Sequence, residues 1–362
     1  MRTQLSYKKG VNVKLCPAVF CWQPGTVVAT LVLVLLPCAS VAAGFDFAHV
    51  QAAAEQLARQ DYKKPADDLP PALASLTHEQ YSAISYAPAA RLWRSSRGQF
   101  SVGFLTRGNN YHDSVKINVV DATGVHPVAF DAGDFDFGSL DLDAQVQAAA
   151  GFSGLTLYHQ GAPRQETVAA PVSADARTPT AAPVVTFQGA SFLFGWAGDQ
   201  HGTDVNARGL AVDAGLMSGE EFPRFTEFWL ERPSRRDDVM VVLALLDSKR
   251  ATGAYRFAIH PGAAPRVDVR ARIYLRDEVS VLGLAPLGSM YFYGENDRAH
   301  DPRDWRPEVH DSDGLQIHTG SGEWLWRPLL NPQRLLATSF ATTDPRGFGL
   351  MQRDRDFANY QD

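Results

Sequence analysis

The stretch that decides the fold class is Val267-Asp268-Val269-Arg270-Ala271-Arg272-Ile273. Aliphatic and charged side chains alternate along it, so an extended chain would carry one apolar face and one charged face. This period of two is typical of a half-exposed antiparallel strand, because a helix would repeat its apolar residues every three or four positions. We therefore expect β-structure in this part of the chain.

The segments before and after this strand extend the same prediction. Residues 239–246 (VMVVLALL) are apolar on both faces and predict a central strand, which the turn-forming pair Asp247-Ser248 follows. Further strands are predicted at residues 100–105, 115–120, 192–196, 225–230, 255–259, 315–318 and 324–326. Turn signals separate most of these segments and helical patterns are few. The predicted fold class is therefore all-β, a large antiparallel β-sandwich.

Two short helices are expected to precede the strands. Apolar residues at 3-4-3 spacing from Phe47 to Leu57 indicate the first, with Asp46 as its N-cap. Thr77 and Gln80 have capping-box spacing and indicate the start of the second. Residues 163–184 are rich in Ala, Pro and Thr without a period, and we predict a flexible surface insertion there.

The amino terminus has the layout of a secretory leader. Residues 2–14 are basic, residues 27–36 are an apolar run of ten, and small residues follow it. A membrane-spanning helix needs about 20 apolar residues, so this run is too short to span. We predict a signal peptide over residues 1–43, cleaved within residues 42–44, and a mature domain over residues 44–362.

Cysteine use and charge exclude several classes of function. Cys16, Cys21 and Cys38 all lie in the predicted leader, so the mature chain is expected to have no disulfide, thiol nucleophile or zinc-thiolate site. The net charge is −6 although residues 1–43 contain basic residues and no acidic ones. An acidic mature chain does not suit nucleic acid as a partner. No phosphate loop or dinucleotide fingerprint occurs, and we expect no cofactor and no metal.

The polar segment from residue 307 to residue 314 (PEVHDSDG) is the richest in chemistry. With residues 320–327 (GSGEWLWR), it brings carboxylates, an imidazole and indoles within about two strand lengths. Sugar sites use this mixture, because aromatic faces pack on pyranose C–H surfaces and carboxylates bind hydroxyls or transfer protons. Residues 307–327 are therefore a candidate carbohydrate site.

Plainer interpretations of the same residues stay open. Asp311-Ser312-Asp313-Gly314 is good turn chemistry, and Trp324 and Trp326 at i, i+2 would also suit one core layer. As a calcium-binding loop, residues 311–314 would lack the remaining ligands and the terminal Glu of an EF-hand. His310 would either orient Asp311 or be a hydrogen-bonded structural residue. Glu220 and Glu221 suit a solvated turn, and no Gly-x-Ser-x-Gly elbow supports a serine nucleophile.

Several motifs in a fixed order resemble the periplasmic glucan biosynthesis protein G/D family. The resemblance runs from about Phe45 to the last residue. The segments that carry it are residues 207–211, 218–225, 252–255, 307–313, 322–324, 327–329, 347–350 and 355–357.

The resemblance implies a fold and an activity. It implies a periplasmic protein of osmoregulated glucan production, with a sandwich of the galactose-mutarotase-like kind followed by an immunoglobulin-like domain. It also implies inverting glycoside hydrolysis of the β-1,2-linked glucan backbone, with Asp311 as general base. The expected partners are the β-glucan and the membrane glucan synthase. The residues expected to bind substrate are His310, Ser312, Trp324, Arg208, Glu220 and Glu221.

The sequence also departs from the family pattern. The family's general acid and its immunoglobulin-like domain are expected after the point where this sequence ends, at Asp362. Ser191–Phe194 and Thr203-Asp204 stand where the family usually has Ser-Tyr-Phe-Arg and Tyr-Gly. The alternatives are therefore a non-catalytic glucan-binding or scaffolding protein, or an inactive fragment.

Overall fold

The computed structural model describes residues 44–94, 98–161, 181–195, 206–262, 264–295, 297, 303–353, 356 and 359. The predicted leader, residues 1–43, lies outside the described residues. The helices are α1 (Phe47–Ala58), α2 (Pro71–Ala74), α3 (His78–Ser82) and α4 (Ala144–Ala148), with a 3-10 helix at Ala132–Asp134. Within the described ranges, no helix is long and apolar enough to cross a membrane.

Strands make up most of the regular structure. In chain order they are β1 (Ser85–Tyr86), β2 (Phe100–Thr106), β3 (Lys116–Asp121), β4 (Gly124–Pro127), β5 (Phe135–Asp136), β6 (Phe152–His159), β7 (Ala182–Gln188), β8 (Phe192–Gly195), β9 (Asn206–Arg208), β10 (Leu210–Val212), β11 (Arg224–Glu231), β12 (Met240–Asp247), β13 (Ala251–His260), β14 (Arg266–Leu275), β15 (Leu282–Leu284), β16 (Leu287–Gly288), β17 (Tyr291–Tyr293), β18 (Val309–His310), β19 (Gly314–His318), β20 (Trp324–Pro328) and β21 (Gly347–Met351).

Two six-stranded sheets form the body of the molecule. The first has the order β14-β13-β12-β11-β3-β4, and the second has the order β16-β9-β8-β7-β6-β2. Among the described strands, every pairing is antiparallel except that of β3 with β11. Smaller sheets join β20-β19-β21, β17-β18, β10-β15 and β1-β5.

The main core lies between the two large sheets. The ring of Phe187 on β7 lies 5.5 Å from that of Phe228 on β11 and 4.9 Å from that of Phe257 on β13. All three side chains are almost fully buried. Because β7 belongs to one sheet and β11 and β13 belong to the other, these contacts join the two layers. The prediction of an all-β sandwich is confirmed.

Helix α1 explains why residues 239–246 are apolar on both faces. On β12, Val242 and Ala244 belong to the core between the sheets. Leu243 and Leu245 point to the opposite face, where they pack in a second cluster with Val50 and its neighbours on α1. Each buried leucine contributes about 1.5–3 kcal/mol relative to exposure. The helix therefore closes the outer face of the first sheet, and β12 is a central strand as predicted.

Strand β14 is the edge of the first sheet and pairs only with β13. Its charged side chains are exposed, while Val267, Ala271 and Ile273 pack against the main core. Val269 is 55% exposed, as a half-covered edge strand permits. The prediction of a half-exposed antiparallel strand is confirmed, and the structure places this strand at the edge of the sheet.

The other predicted strands fall on β2, β3, β8, β11, β13, β19 and β20. Strands β6 and β7 were not predicted. Both are buried along almost their whole length, but neither shows a continuous apolar run. Polar Ser153, Thr156 and His159 interrupt β6, and the first residues of β7 fall in the predicted insertion. The predicted insertion at residues 163–184 ends earlier than expected, because residues 182–184 belong to β7. Residues 162–180 lie outside the described residues.

Both predicted helix caps are present. The carboxylate of Asp46 accepts the backbone N–H of Ala48 at 2.9 Å. Thr77 and Gln80 form a reciprocal capping box at the start of α3, with contacts of 2.8 and 3.2 Å. Such caps satisfy N–H groups that have no partner inside a helix.

Candidate functional site

Asp311 lies between β18 and β19, where the main chain orients its carboxylate. Its Oδ2 accepts the backbone N–H of Met290 at 2.6 Å, and its own N–H donates to the carbonyl of Met290 at 2.9 Å. Met290 stands in the link between β16 and β17. The reciprocal pair fixes a half-buried carboxylate on a backbone frame, and this suits a group that has to meet a reactant in one orientation.

A buried polar cluster lies behind Asp311. The side chain of His310 is fully buried, and its Nε2 lies 2.7 Å from Oε2 of Glu308. The ring of Tyr291 stacks on the His310 ring with centroids 5.3 Å apart. The Tyr291 hydroxyl donates to Asp297 at 2.6 Å. Burial, and then Asp297, raise the pKa of Tyr291, so the phenol stays protonated and acts as a donor.

Glu308, His310 and Asp313 each offer one ligand atom, and these atoms lie within 4.8 Å of one another. One imidazole and two carboxylates would suit a divalent transition metal. Two ligands of one tetrahedral zinc would be about 3.3 Å apart. The 2.7 Å contact between His310 and Glu308 is shorter and has hydrogen-bond length. We therefore describe Glu308 and His310 as a hydrogen-bonded pair, with Oδ1 of Asp313 4.0 Å from Nε2 of His310.

Ser312 and Asp313 are interior residues of the segment that has turn-forming composition. Both are almost fully buried. The Ser312 hydroxyl lies 2.6 Å from that of Ser289, and Oδ2 of Asp313 accepts the backbone N–H of Arg353 at 2.7 Å. Like His310, Ser312 is buried and does not face solvent.

Trp324 is a surface residue, so the interpretation of Trp324 and Trp326 as one core layer is wrong. Trp324 begins β20 and is 60% exposed. Its indole lies parallel to the ring of His318 on β19, with centroids 4.1 Å apart and planes within 7°. The stack holds one aromatic face towards solvent in a fixed orientation. Such a face can pack on the C–H surface of a sugar ring.

Arg208 and Glu220 form an ion pair over aromatic rings. Nη1 of Arg208 lies 2.7 Å from Oε1 of Glu220, and its guanidinium lies 5.6 Å from the ring centres of both Phe192 and Phe222. Arg208 ends β9, which pairs with β16. Met290, which contacts Asp311, follows the end of β16 by two residues. The strand that pairs with the Arg208 strand therefore continues along the chain into the segment that orients Asp311.

Glu221 has a structural partner instead. Its two carboxylate oxygens accept the backbone N–H and the Nε of Arg250 at 2.9 and 2.8 Å. The same guanidinium also pairs with the buried Asp213. Burial raises the pKa of Glu221, but the hydrogen bonds from Arg250 outweigh it and the pKa is lowered. Glu221 thus joins the start of β11 to the turn before β13, and its carboxylate is committed to that ion pair.

The predicted site residues therefore divide into three groups. His310 and Ser312 surround Asp311 from the interior, and Trp324 stands exposed on the neighbouring β20. Arg208 and Glu220 lie at the edge of the second sheet, and Glu221 belongs to the Arg250 network. Sequence reasoning missed Tyr291, Asp297 and Arg353. The sequence signal near Tyr291 is the aromatic alternation at residues 291–293 (YFY), which indicates a strand but does not indicate a functional site.

Comparisons with known proteins identify the family to which the chain belongs. The family model described as "Periplasmic glucan biosynthesis protein, MdoG" matches residues 45–362. Glucans biosynthesis protein G of Ralstonia nicotianae is 46% identical over 332 residues, which is 91% of this chain and 62% of the relative. The protein of the same name from Pseudomonas aeruginosa is 43% identical, over 88% of this chain and 58% of its own. That of Sodalis glossinidius is 42% identical, over 92% and 60%. The chain spans about three fifths of the length of these relatives.

Proposed function

Because the chain belongs to the periplasmic glucan biosynthesis protein MdoG family, we propose that it acts on the β-1,2-linked glucan backbone in the periplasm, with Asp311 as the general base of an inverting hydrolysis. The observation that supports the base role most directly is the carboxylate of Asp311, fixed by the main chain of Met290 at 2.6 Å. The glucan polymer is the proposed ligand. The membrane glucan synthase is the proposed source of that polymer.

The proposed mechanism needs two groups on opposite sides of a sugar ring. An acid protonates the leaving oxygen, and a carboxylate about 6.5–9.5 Å away removes a proton from the attacking water. Asp311 suits the second role because its orientation is set by backbone atoms, which a bound sugar does not displace. Tyr291, His310 and Glu308 pack behind it and hold β17 against β18. The proposal assigns the base only.

The exposed Trp324 supports glucan binding independently of Asp311. A fixed indole face contributes about 0.5–1.5 kcal/mol to an aromatic contact beyond the area it buries. Trp324 would hold a glucan chain whether or not a glycosidic bond of that chain is cleaved. The second candidate function is therefore binding and delivery of the glucan without hydrolysis.

A glycosyl fluoride separates these two functions. Fluoride leaves without protonation, so hydrolysis of the β-fluoride of a β-1,2-linked glucose disaccharide needs the base and no general acid. We expect the protein to release fluoride and to form the α-anomer of the disaccharide, as inversion requires. Asp311→Asn should lower the rate by about 10²–10⁴-fold, since it removes a general base. Fluoride release is measured with an ion electrode and the anomer by NMR.

Asp141→Asn is the matched control, because it neutralises an exposed aspartate outside the site. It should leave both the rate and the melting temperature unchanged. Undiminished fluoride release by Asp311→Asn would refute the base assignment. Glucan binding by the wild-type protein without any fluoride release would favour the binding function.

A further inference from the structure

A polar pocket lies at the entry to β11, and its lining does not include the Asp311 segment. Its cavity volume is about 170 Å³, and an engineered cavity of about 150 Å³ accommodates a benzene ring. A six-membered ring therefore fits. The loop after β2, the turn between β7 and β8 and the first residues of β11 form its walls, including Tyr111, Asp113, Gly189, Phe222 and Arg224.

Arg224 and Asp113 leave hydrogen-bonding capacity in this wall. Nε of Arg224 lies 3.7 Å from Oδ2 of Asp113, which is too far for a direct hydrogen bond. Nη1 of Arg224 is buried and has no hydrogen-bond partner among the residues that the structure describes. A buried donor without a partner costs about 1–3 kcal/mol. A ligand that accepts from Arg224 would recover part of that cost after a small rotation of the side chain.

The charges of this pair select the kind of ligand. A hydroxyl both donates and accepts, so one hydroxyl can bridge the guanidinium of Arg224 and the carboxylate of Asp113. An anion would accept from Arg224 but would be repelled by Asp113, whose side chain is 54% exposed. The pair therefore favours a neutral polyol over a phosphate or a carboxylate.

Tyr111 and Phe222 add the features of a sugar subsite. Burial raises the pKa of Tyr111, so its phenol stays protonated. Gly189 has a φ of +70°, and a Cβ there would lie 3.2 Å from the Tyr111 ring, so glycine keeps this wall open. Phe222 is 54% exposed at the pocket. An exposed aromatic ring beside hydroxyl-binding groups is typical of a pyranose site.

We propose that this pocket is a glucosyl-binding subsite, in which a sugar hydroxyl bridges Arg224 and Asp113 and the pyranose packs on Phe222. The inference rests on the proposed function, because it takes its ligand from the same glucan. It adds a second point of attachment on the sandwich, remote in sequence from Asp311. A chain held at two points would be bound more tightly than a single glucose unit.

Calorimetric titration with a β-1,2-linked glucose trisaccharide tests the subsite. Arg224→Gln and Asp113→Ala should each raise the dissociation constant about tenfold, because each removes a charged hydrogen-bonding partner. Asp268→Ala removes a carboxylate of similar exposure from β14 and should change nothing. Asp113 is half exposed, so its variant remains informative if Arg224→Gln lowers the melting temperature. Inorganic phosphate should not compete with the trisaccharide.

The possible outcomes separate the two proposals. Unchanged affinity in both pocket variants, with wild-type binding intact, would overturn the subsite and leave the proposed function standing. Competition by phosphate would show that the pocket binds anions, and this result would also overturn the proposed subsite. No binding by the wild-type protein would refute both. Weaker binding in the pocket variants, together with normal binding by Asp311→Asn, would support the subsite as distinct from the base.

Discussion

Asp311 and Glu221 come from the two acidic regions of the chain, residues 308–313 and residues 220–221, and their carboxylates are held in different ways. Glu221 is neutralised by Arg250, which also pairs with Asp213. Asp311 instead accepts a backbone N–H, that of Met290. The pairing of Glu221 with a guanidinium ties two parts of the fold together, whereas the contact with Met290 sets the orientation of the Asp311 carboxylate. Acidic composition alone does not distinguish the two.

The largest effect on stability should follow loss of the guanidinium in the Glu221 region. Arg250→Met would leave Asp213 and Glu221 as uncompensated, mostly buried charges. Breaking such a pair from one side costs about 3–5 kcal/mol. We expect a lower urea midpoint with an unchanged m-value, measured by circular dichroism.

Arg266→Met is the control for that variant, because Arg266 is an exposed arginine whose ion pair with Asp268 is worth little. It should change the free energy of unfolding by less than about 0.5 kcal/mol. Equal effects of the two substitutions would show that the Arg250 network stabilises the fold no more than an exposed ion pair does.

A smaller effect is expected from the interior of the Asp311 region. Glu308→Gln keeps an acceptor near His310 but removes the charge, and we expect a loss of about 1–2 kcal/mol together with slower fluoride release. Glu295→Gln alters an exposed carboxylate that pairs with Arg353, so it serves as the control. A slower reaction of Glu308→Gln, measured at a temperature where the variant is fully folded, with the rate of Glu295→Gln unchanged, would support a role of Glu308 in positioning Asp311 through His310. Unchanged rates in both variants would remove that role.

The smallest effect concerns pH. The backbone N–H of Val281 and then Arg250 lower the pKa of Asp213, and the pKa of Glu221 is lowered as well. For groups with lowered folded-state pKa values, the stabilisation is complete above their ordinary values of 3.8 and 4.5. It is lost as the pH falls through the lowered values. The stability difference between wild type and Arg250→Met should therefore shrink as the pH falls from about 5 towards 2, as measured by urea midpoints. A constant difference would contradict this assignment.

Much of the sandwich could be predicted from local patterns, because each strand carries its environment in its side chains. Alternation identified β14 as half exposed, and the apolar run at residues 239–246 identified β12 as central. Strands β6 and β7 escaped prediction because polar residues interrupt β6 and the predicted insertion overlapped the start of β7. The apolar run also did not reveal that α1 covers one of its faces, because that contact joins residues about 190 positions apart.

The candidate site was predictable in part. Asp311 and Trp324 were singled out by residue type and by the family resemblance. Their environments were not, since the turn and core interpretations of residues 311–326 were reasonable on composition. Tyr291, Asp297 and Arg353 meet the segment only through strand pairing and loop contacts. The Arg224 pocket had no local signal, because its walls come from three separate parts of the chain.

The sequence by itself determined the fold class, the helix caps and the family, because these depend on short-range periodicity and on motifs in a fixed order. The tertiary structure alone decided which acidic residues are committed to arginines and which are held by the main chain. It also decided which tryptophan faces solvent and where a ring-sized pocket opens. Those properties depend on contacts between distant segments, and burial and charge pairing are set only when the sheets pack together.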